Sequence, residues 1–186
     1  MYEYMINSMQ FLYIVVAYLF GNILTAYMLT KWRHKVDIRN EGSRNPGARN
    51  MGRVYGKRYF IVTFLGDAMK GTIVVLIAKY LFEDSIFVML SLCAVIIGHI
   101  YPLFFKGKGG KGISTFVGGL IAFDYLITLT LLCIFIIFYL IFKGFTKPGL
   151  ITIACLPICM IFYLYSIIVT ILSVFIIILI LYVNQE

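Results

Sequence analysis

Long apolar runs dominate this chain, and the polar stretches between them are short, distinctive and unequal in charge. Met9–Leu29, Phe60–Phe82 and Ser85–Phe105 are each long enough for one bilayer crossing, since about 20 apolar residues span the hydrocarbon core. Residues 113–142 form a run too long for one untilted helix and short for two. Asp124 near its middle would cost roughly 2.5–3.5 kcal/mol in hydrocarbon. The pattern therefore predicts a short helix to Phe123, a turn at Asp124 and a return span over 125–142. Gly149–Val183 reads as a hairpin of two short spans turning near Tyr165–Ser166. The expected fold is all-α: a multi-span helical integral membrane protein of seven transmembrane helices, with five as the alternative, in one domain over residues 1–186.

Composition agrees. Hydrophobic residues make up 62% of the chain and charged residues 13%, about half the charge of a typical soluble domain. The net charge of +8 is concentrated between spans. Nine Lys or Arg fall within 31–58, three within 106–112 and two within 143–148, which is 14 of the 16. Basic inter-span loops face the cytoplasm as a rule, which leaves Glu3, Glu83, Asp84 and Asp124 on the other side. A basic surplus held in membrane loops argues against nucleic-acid binding, which would use a basic face on a soluble module. Met1–Gln10 contains Glu3 and no Lys or Arg, unlike a cleavable leader, so the first run is expected to be a retained span. Cys93, Cys133, Cys155 and Cys159 lie in apolar runs without His or carboxylate neighbours and read as packing residues; no metal or cofactor is implied.

Two loops carry the chemistry. Residues 98–115 pass from an apolar segment into a glycine-rich loop with Lys106, Lys108 and Lys111. Gly109, Gly110 and Gly112 let backbone N–H groups close on an anion while the ammonium groups add charge. The plainer reading, lysines that only set topology, does not ask for interleaved glycines. The other loop, 37–53, combines Gly42, Gly47 and Gly52 with Ser43, Asn45 and Asn50. It also presents Arg39, Arg44, Arg49 and Arg53, whose planar forks suit phosphate oxygens. Contact with anionic lipid head groups explains the arginines but not the repeated Gly and Asn. Both loops fall on one side of the membrane, so they are expected to share a cleft for two phosphorylated substrates or one diphosphate.

Within the spans, Asp67 and Lys70 are spaced to pair along a helix. They serve either as a neutralised packing pair or as a functional group, with Asp67 orienting and Lys70 reaching the cleft. His99 is a candidate general base, against the reading of a hydrogen-bonded packing histidine. No Walker A pattern is present, because Ile113 stands where its lysine is required.

These motifs resemble the acyl-phosphate-dependent glycerol-3-phosphate acyltransferases, the bacterial PlsY family. The likeness runs from Gly21-Asn-Ile23 through Asp37-Ile-Arg39 and residues 42–50 to Arg53 and Gly56. It continues at residues 67–71, 98–102 and 108–112, ending with Thr115. The resemblance implies a multi-span enzyme of the bacterial inner membrane. It would transfer an acyl group from acyl phosphate to the sn-1 hydroxyl of glycerol 3-phosphate, giving lysophosphatidic acid and phosphate for phospholipid synthesis. It implies catalytic roles for His99, Lys111 and Asn50. It also implies substrate contacts from Ser43, Arg44, Asn45, Gly47, Arg49, Arg53, Asp67, Lys70, Lys106, Lys108, Gly109, Gly110, Gly112 and Thr115. The partners it implies are acyl phosphate, glycerol 3-phosphate and membrane lipids.

Some positions depart from the family pattern. Arg44 stands where the family has glycine and Arg49 where it has threonine. A region at Thr146-Lys-Pro-Gly149 replaces the family's serines, and its C-terminal motif has no counterpart before Glu186. These leave open a catalytically weak paralogue that binds phospholipid or phosphate esters. Asp67 and Lys70 inside the bilayer leave open a small phosphate-ester transporter.

Overall fold

The computed structural model describes residues 7–185; Glu3 and Glu186 lie outside them. Ten α-helices and two 3₁₀ turns account for the ordered elements, with no strand among the described residues. Helix α1 (Ser8–Gly21) begins with a capping box, Asn7 and Gln10 each bonding the other's backbone. The run expected as one span then breaks at residues 22–24, and α2 (Thr25–Arg33) leaves at 42°. The break has a packing cause. A Cβ on Gly21 would sit 2.3 Å from the Val95 carbonyl, so glycine lets α1 lie directly on its neighbour there. Asn22 then turns its amide back to the Tyr18 carbonyl and accepts from Leu103 N–H.

A 3₁₀ turn at Ile38–Asn40 and α3 (Ala48–Tyr55) occupy the first basic loop. Helix α4 (Lys57–Phe82) follows, then α5 (Ser85–Ile100), capped by Asp84. Twelve of the 16 residues of α5 are buried, which makes it the hub of the bundle. After a second 3₁₀ turn at Leu103–Phe105, α6 is Ile113–Phe123. As expected, Asp124 forms a turn: its carboxylate caps α7 (Tyr125–Phe142) by accepting from Leu126 and Ile127 N–H. Helices α8 (Thr146–Ala154) and α9 (Leu156–Phe162) meet near Pro157, and Ser166 caps α10 (Ile167–Asn184), which places the last turn at the predicted position.

Four helices are long and apolar enough to cross a membrane, or five if the bent α1–α2 pair is one span. The expected seven is not reached by length. Helix α6 has 11 residues, about 16 Å at 1.5 Å per residue against a hydrocarbon core of about 30 Å. The α8–α9 segment is likewise short. Helix α7 buries only Ile127 and Leu131, so most of its apolar surface faces outward, as lipid contact requires.

Inter-helix contacts sort the polar groups to two ends. At one end the loop after α2 meets the loop after α5 through Arg39 and Phe105, and Arg49 donates to Thr146 at the start of α8. At the other end the Tyr13 ring packs on Phe82 and Phe87, Lys79 donates to the last carbonyls of α6, and Tyr165 donates to Asp124. The three basic loops thus share one end of the bundle, and the acidic turns share the other.

Candidate active site

Arg39 joins the two glycine-rich loops. Its guanidinium donates to both oxygens of Asp37, the closest contact being 2.7 Å, and to the Phe105 carbonyl at 3.4 Å. It also lies over the Tyr27 and Phe105 rings, 5.3 and 5.1 Å from their centroids. These hydrogen bonds from Arg39 hold the Asp37 carboxyl below its ordinary range. Beside this contact opens a cleft of about 380 Å³ lined by Asp37, Arg39, Asn40, Phe104, Phe105, Lys106 and Lys108. Three cations against one carboxylate leave it positive, which suits a phosphate ester.

The first loop is tied down by a second set of bonds. Asn50, 1% exposed, accepts from Ser43 N–H at 2.8 Å and donates to the Glu41 carbonyl at 2.9 Å. Tyr55 donates to the Glu41 carboxylate. Its partial burial, and then that carboxylate, push the phenol up to about 12. Asn50 is therefore spent on shaping the turn at 41–43. Ser43, Arg44, Arg49 and Arg53 are exposed, Asn45 and Gly47 half-buried, and none of the six lines the cleft.

The second loop folds back on the end of α5. Gly109 N–H donates to the Ile100 carbonyl and Gly110 N–H to the His99 carbonyl. A Cβ on Gly110 would lie 2.2 Å from His99 Nε2, so glycine lets this backbone lie against the imidazole. Lys111 is half-buried, Gly112 has φ +78° at the start of α6, and Thr115 is fully buried on α6 with its hydroxyl unpartnered.

Behind the loops lies a buried charge cluster. Lys70, 3% exposed, points to the α1–α2 break and donates to the Gly21 and Ile23 carbonyls at 3.1 and 2.7 Å. Its Nζ also lies 3.2 Å from Asp67 Oδ1 and 2.6 Å from His99 Nδ1. Asp67 Oδ1 accepts from the Thr25 hydroxyl at 3.0 Å. The predicted Asp67–Lys70 pair forms, but Lys70 does not line the cleft and instead satisfies carbonyls that the helix break frees. Sequence reasoning found no carboxylate near His99, because Asp67 approaches from another helix, 3.9 Å away. It also gave no role to Gly21, Ile23 and Thr25 in this cluster; a Gly-Asn pair inside an apolar run was the available signal for the break that frees these groups.

These features define a polytopic helical membrane protein with a cationic cleft, set between two glycine-rich loops, at one end of its bundle. Comparison with known proteins narrows the class. Residues 11–186 match the family model for glycerol-3-phosphate acyltransferase. The chain is 81% identical over 186 residues to glycerol-3-phosphate acyltransferase 1 of a Bacillus cereus strain, covering all of both chains. It is 38% identical over 167 residues to the glycerol-3-phosphate acyltransferase of Ruthia magnifica subsp. Calyptogena magnifica, with 90% and 83% covered. The fold is similar to the crystal structure of PlsY (YgiH), an integral membrane glycerol 3-phosphate acyltransferase, in its glycerol 3-phosphate form. That match has a TM-score of 0.88 at 30% identity, covering 96% of this chain and 90% of the other. The chain belongs to the glycerol-3-phosphate acyltransferase family.

Proposed function

We propose that this chain is a single membrane-embedded acyltransferase domain that moves an acyl group from acyl phosphate to the sn-1 hydroxyl of glycerol 3-phosphate. One observation carries the reading: the Arg39–Phe105 contact makes a cationic cleft from the two glycine-rich loops, in a chain matched end to end by a named family member. The hydroxyl oxygen attacks the acyl carbon, an ester bond forms, and the acyl–phosphate C–O bond breaks. The electron pair leaves with phosphate, and the hydroxyl proton is taken up by that phosphate. Phosphate is a competent leaving group, so catalysis rests on orientation and on charge stabilisation.

Lys106 and Lys108 line the cleft and meet phosphate oxygens, and Lys111 on the same loop adds a third ammonium. Asn50 acts through the 41–43 turn rather than by touching substrate, because both ends of its amide are engaged there. His99 is a poor base in this arrangement, since its Nδ1 faces the Lys70 ammonium. The basic loops face the cytoplasm from a bacterial cell (inner) membrane, the side that the charge asymmetry favours. Asp67 and Lys70 line neither this cleft nor the one at the opposite end, which removes the observation behind a transporter.

The test is phosphate release from acyl phosphate by detergent-purified protein. Release should require glycerol 3-phosphate and should be abolished by Lys111→Ala and by Asn50→Ala with the fold retained. Release independent of acceptor, or indifferent to both substitutions, would reject the assignment.

A further inference from the structure

The cluster around Lys70 fixes which nitrogen of His99 carries its proton. Lys70 Nζ has Gly21 O, Ile23 O and Asp67 Oδ1 within 3.2 Å. Two carbonyls and a carboxylate are the surroundings of an ammonium, whose N–H groups all point outward. At 2.6 Å from that ammonium, His99 Nδ1 can only accept. A proton on Nδ1 would set two donors head-on, and an imidazolium would set two cations together. The ring is therefore neutral with its hydrogen on Nε2.

The Nε2 edge is the one that faces the glycine loop. It occupies the space a Cβ of residue 110 would need, at 2.2 Å. His99 is 3% exposed, and among the described residues its Nε2 has no hydrogen-bond partner. Nε2 itself keeps some accessible surface, so this edge of an otherwise buried ring, against a loop whose neighbouring residues are Lys108 and Lys111, is open to an oxygen that the protein does not supply.

We infer that His99 donates Nε2–H to a phosphate oxygen held by the glycine loop, and that Lys70 with Asp67 are positioning residues that set this tautomer. Under the acyl-transfer reading, on which the inference rests, His99 is a neutral donor to a substrate phosphate and removes no proton from the hydroxyl. The helix break takes part, because the Gly21 and Ile23 carbonyls anchor Lys70 and so orient the ring from behind.

Two measurements test this. The chain has only two histidines, so ¹⁵N-histidine labelling gives two rings, and a His34→Asn variant assigns them. The expected spectrum shows His99 neutral with Nε2 protonated, and inorganic phosphate or glycerol 3-phosphate shifts that Nε2–H. An Nδ1–H or doubly protonated ring, or an Nε2–H indifferent to both anions, overturns the inference whether or not the protein turns over. Lys70→Met paired with Asp67→Asn, which leaves no buried lone charge, should mix the tautomers; an unchanged ring overturns the positioning role.

Kinetics give the second arm. A Gln amide nitrogen reaches the Nε2 position, whereas that of Asn reaches only Nδ1. His99→Gln should keep activity within about tenfold, and His99→Asn should lose about 100-fold or more, the usual loss for one donor to a developing anion. Equal losses in both variants would mark His99 as the base and overturn the donor role. Acceptor-independent phosphate release by the parent protein would sink the acyl-transfer reading and leave the tautomer result standing.

Discussion

Arg39 reaches across from the first basic loop to the carbonyl of Phe105, which puts a charge-assisted contact at the seam between the two halves of the cleft. The same guanidinium lies over the edge-to-face pair of Tyr27 and Phe105 and is held by Asp37. Hydrogen bonds to charged groups contribute about 1.5–3 kcal/mol each. Arg39→Ala should therefore lower kcat/KM for glycerol 3-phosphate by about 10- to 100-fold. Arg39→Lys should recover only part of this, because an ammonium cannot fork onto the carboxylate while stacking on two rings. Wild-type kinetics in Arg39→Ala would mean that the loops are held together independently of this residue.

The partner of Arg39 gives a pH signature. Asp37 is held below the ordinary carboxylate range by the Arg39 hydrogen bonds. A depressed folded-state value means the pair's contribution is complete above the unfolded carboxylate value of about 3.9 and is lost as pH falls through the lower folded value. Thermal unfolding in detergent should show the parent more stable than Asp37→Asn at pH 6, with the gap closing below about pH 4. A gap that persists or widens in acid would contradict the assigned pairing.

Helix α1 rests on α5 through two glycines. A Cβ on Gly98 would lie 2.0 Å from the Tyr18 carbonyl and 3.1 Å from Gly21 Cα, both backbone atoms that cannot rotate aside. Gly98→Ala should part the helices and with them the Gly21 carbonyl that holds Lys70. The expected cost is about 3 kcal/mol, seen as a lower unfolding temperature. Gly149→Ala on α8 meets open space and should be neutral or slightly stabilising.

Much of this architecture was legible because bilayer chemistry is severe about charge. Asp124 had to mark a turn, since a carboxylate in mid-span has no water, and it became the cap of α7. The basic loops had to gather at one end for the same reason. The α1–α2 break was hidden, because Gly21, Asn22 and Thr25 are individually compatible with an apolar helix and only the packing of α5 decides the matter. The direction of Lys70 was hidden too, because its acceptors are carbonyls that exist only after that break forms. Asn50 was visible as a loop residue, but its use on the turn itself depends on Glu41 and Ser43 being folded around it.

Arg44 and Gly42 occupy neighbouring left-handed positions of one loop, with φ +60° and +56°. A glycine at position 44 would suit that conformation, and arginine bears a cost there of about 1 kcal/mol. The Arg44 side chain is exposed and does not line the cleft, so nothing local offsets the cost. Arg44→Gly should raise the unfolding free energy by up to about 1 kcal/mol and leave KM for glycerol 3-phosphate unchanged. At Gly42 the opposite holds, because a Cβ would sit 2.3 Å from Asn50 Oδ1, the atom that receives Ser43 N–H. Gly42→Ala should both strain the backbone and displace that amide, so activity and stability should fall together. A drop in KM on Arg44→Gly would show instead that the arginine intrudes on the substrate, and would move the phosphate site toward the 42–45 turn.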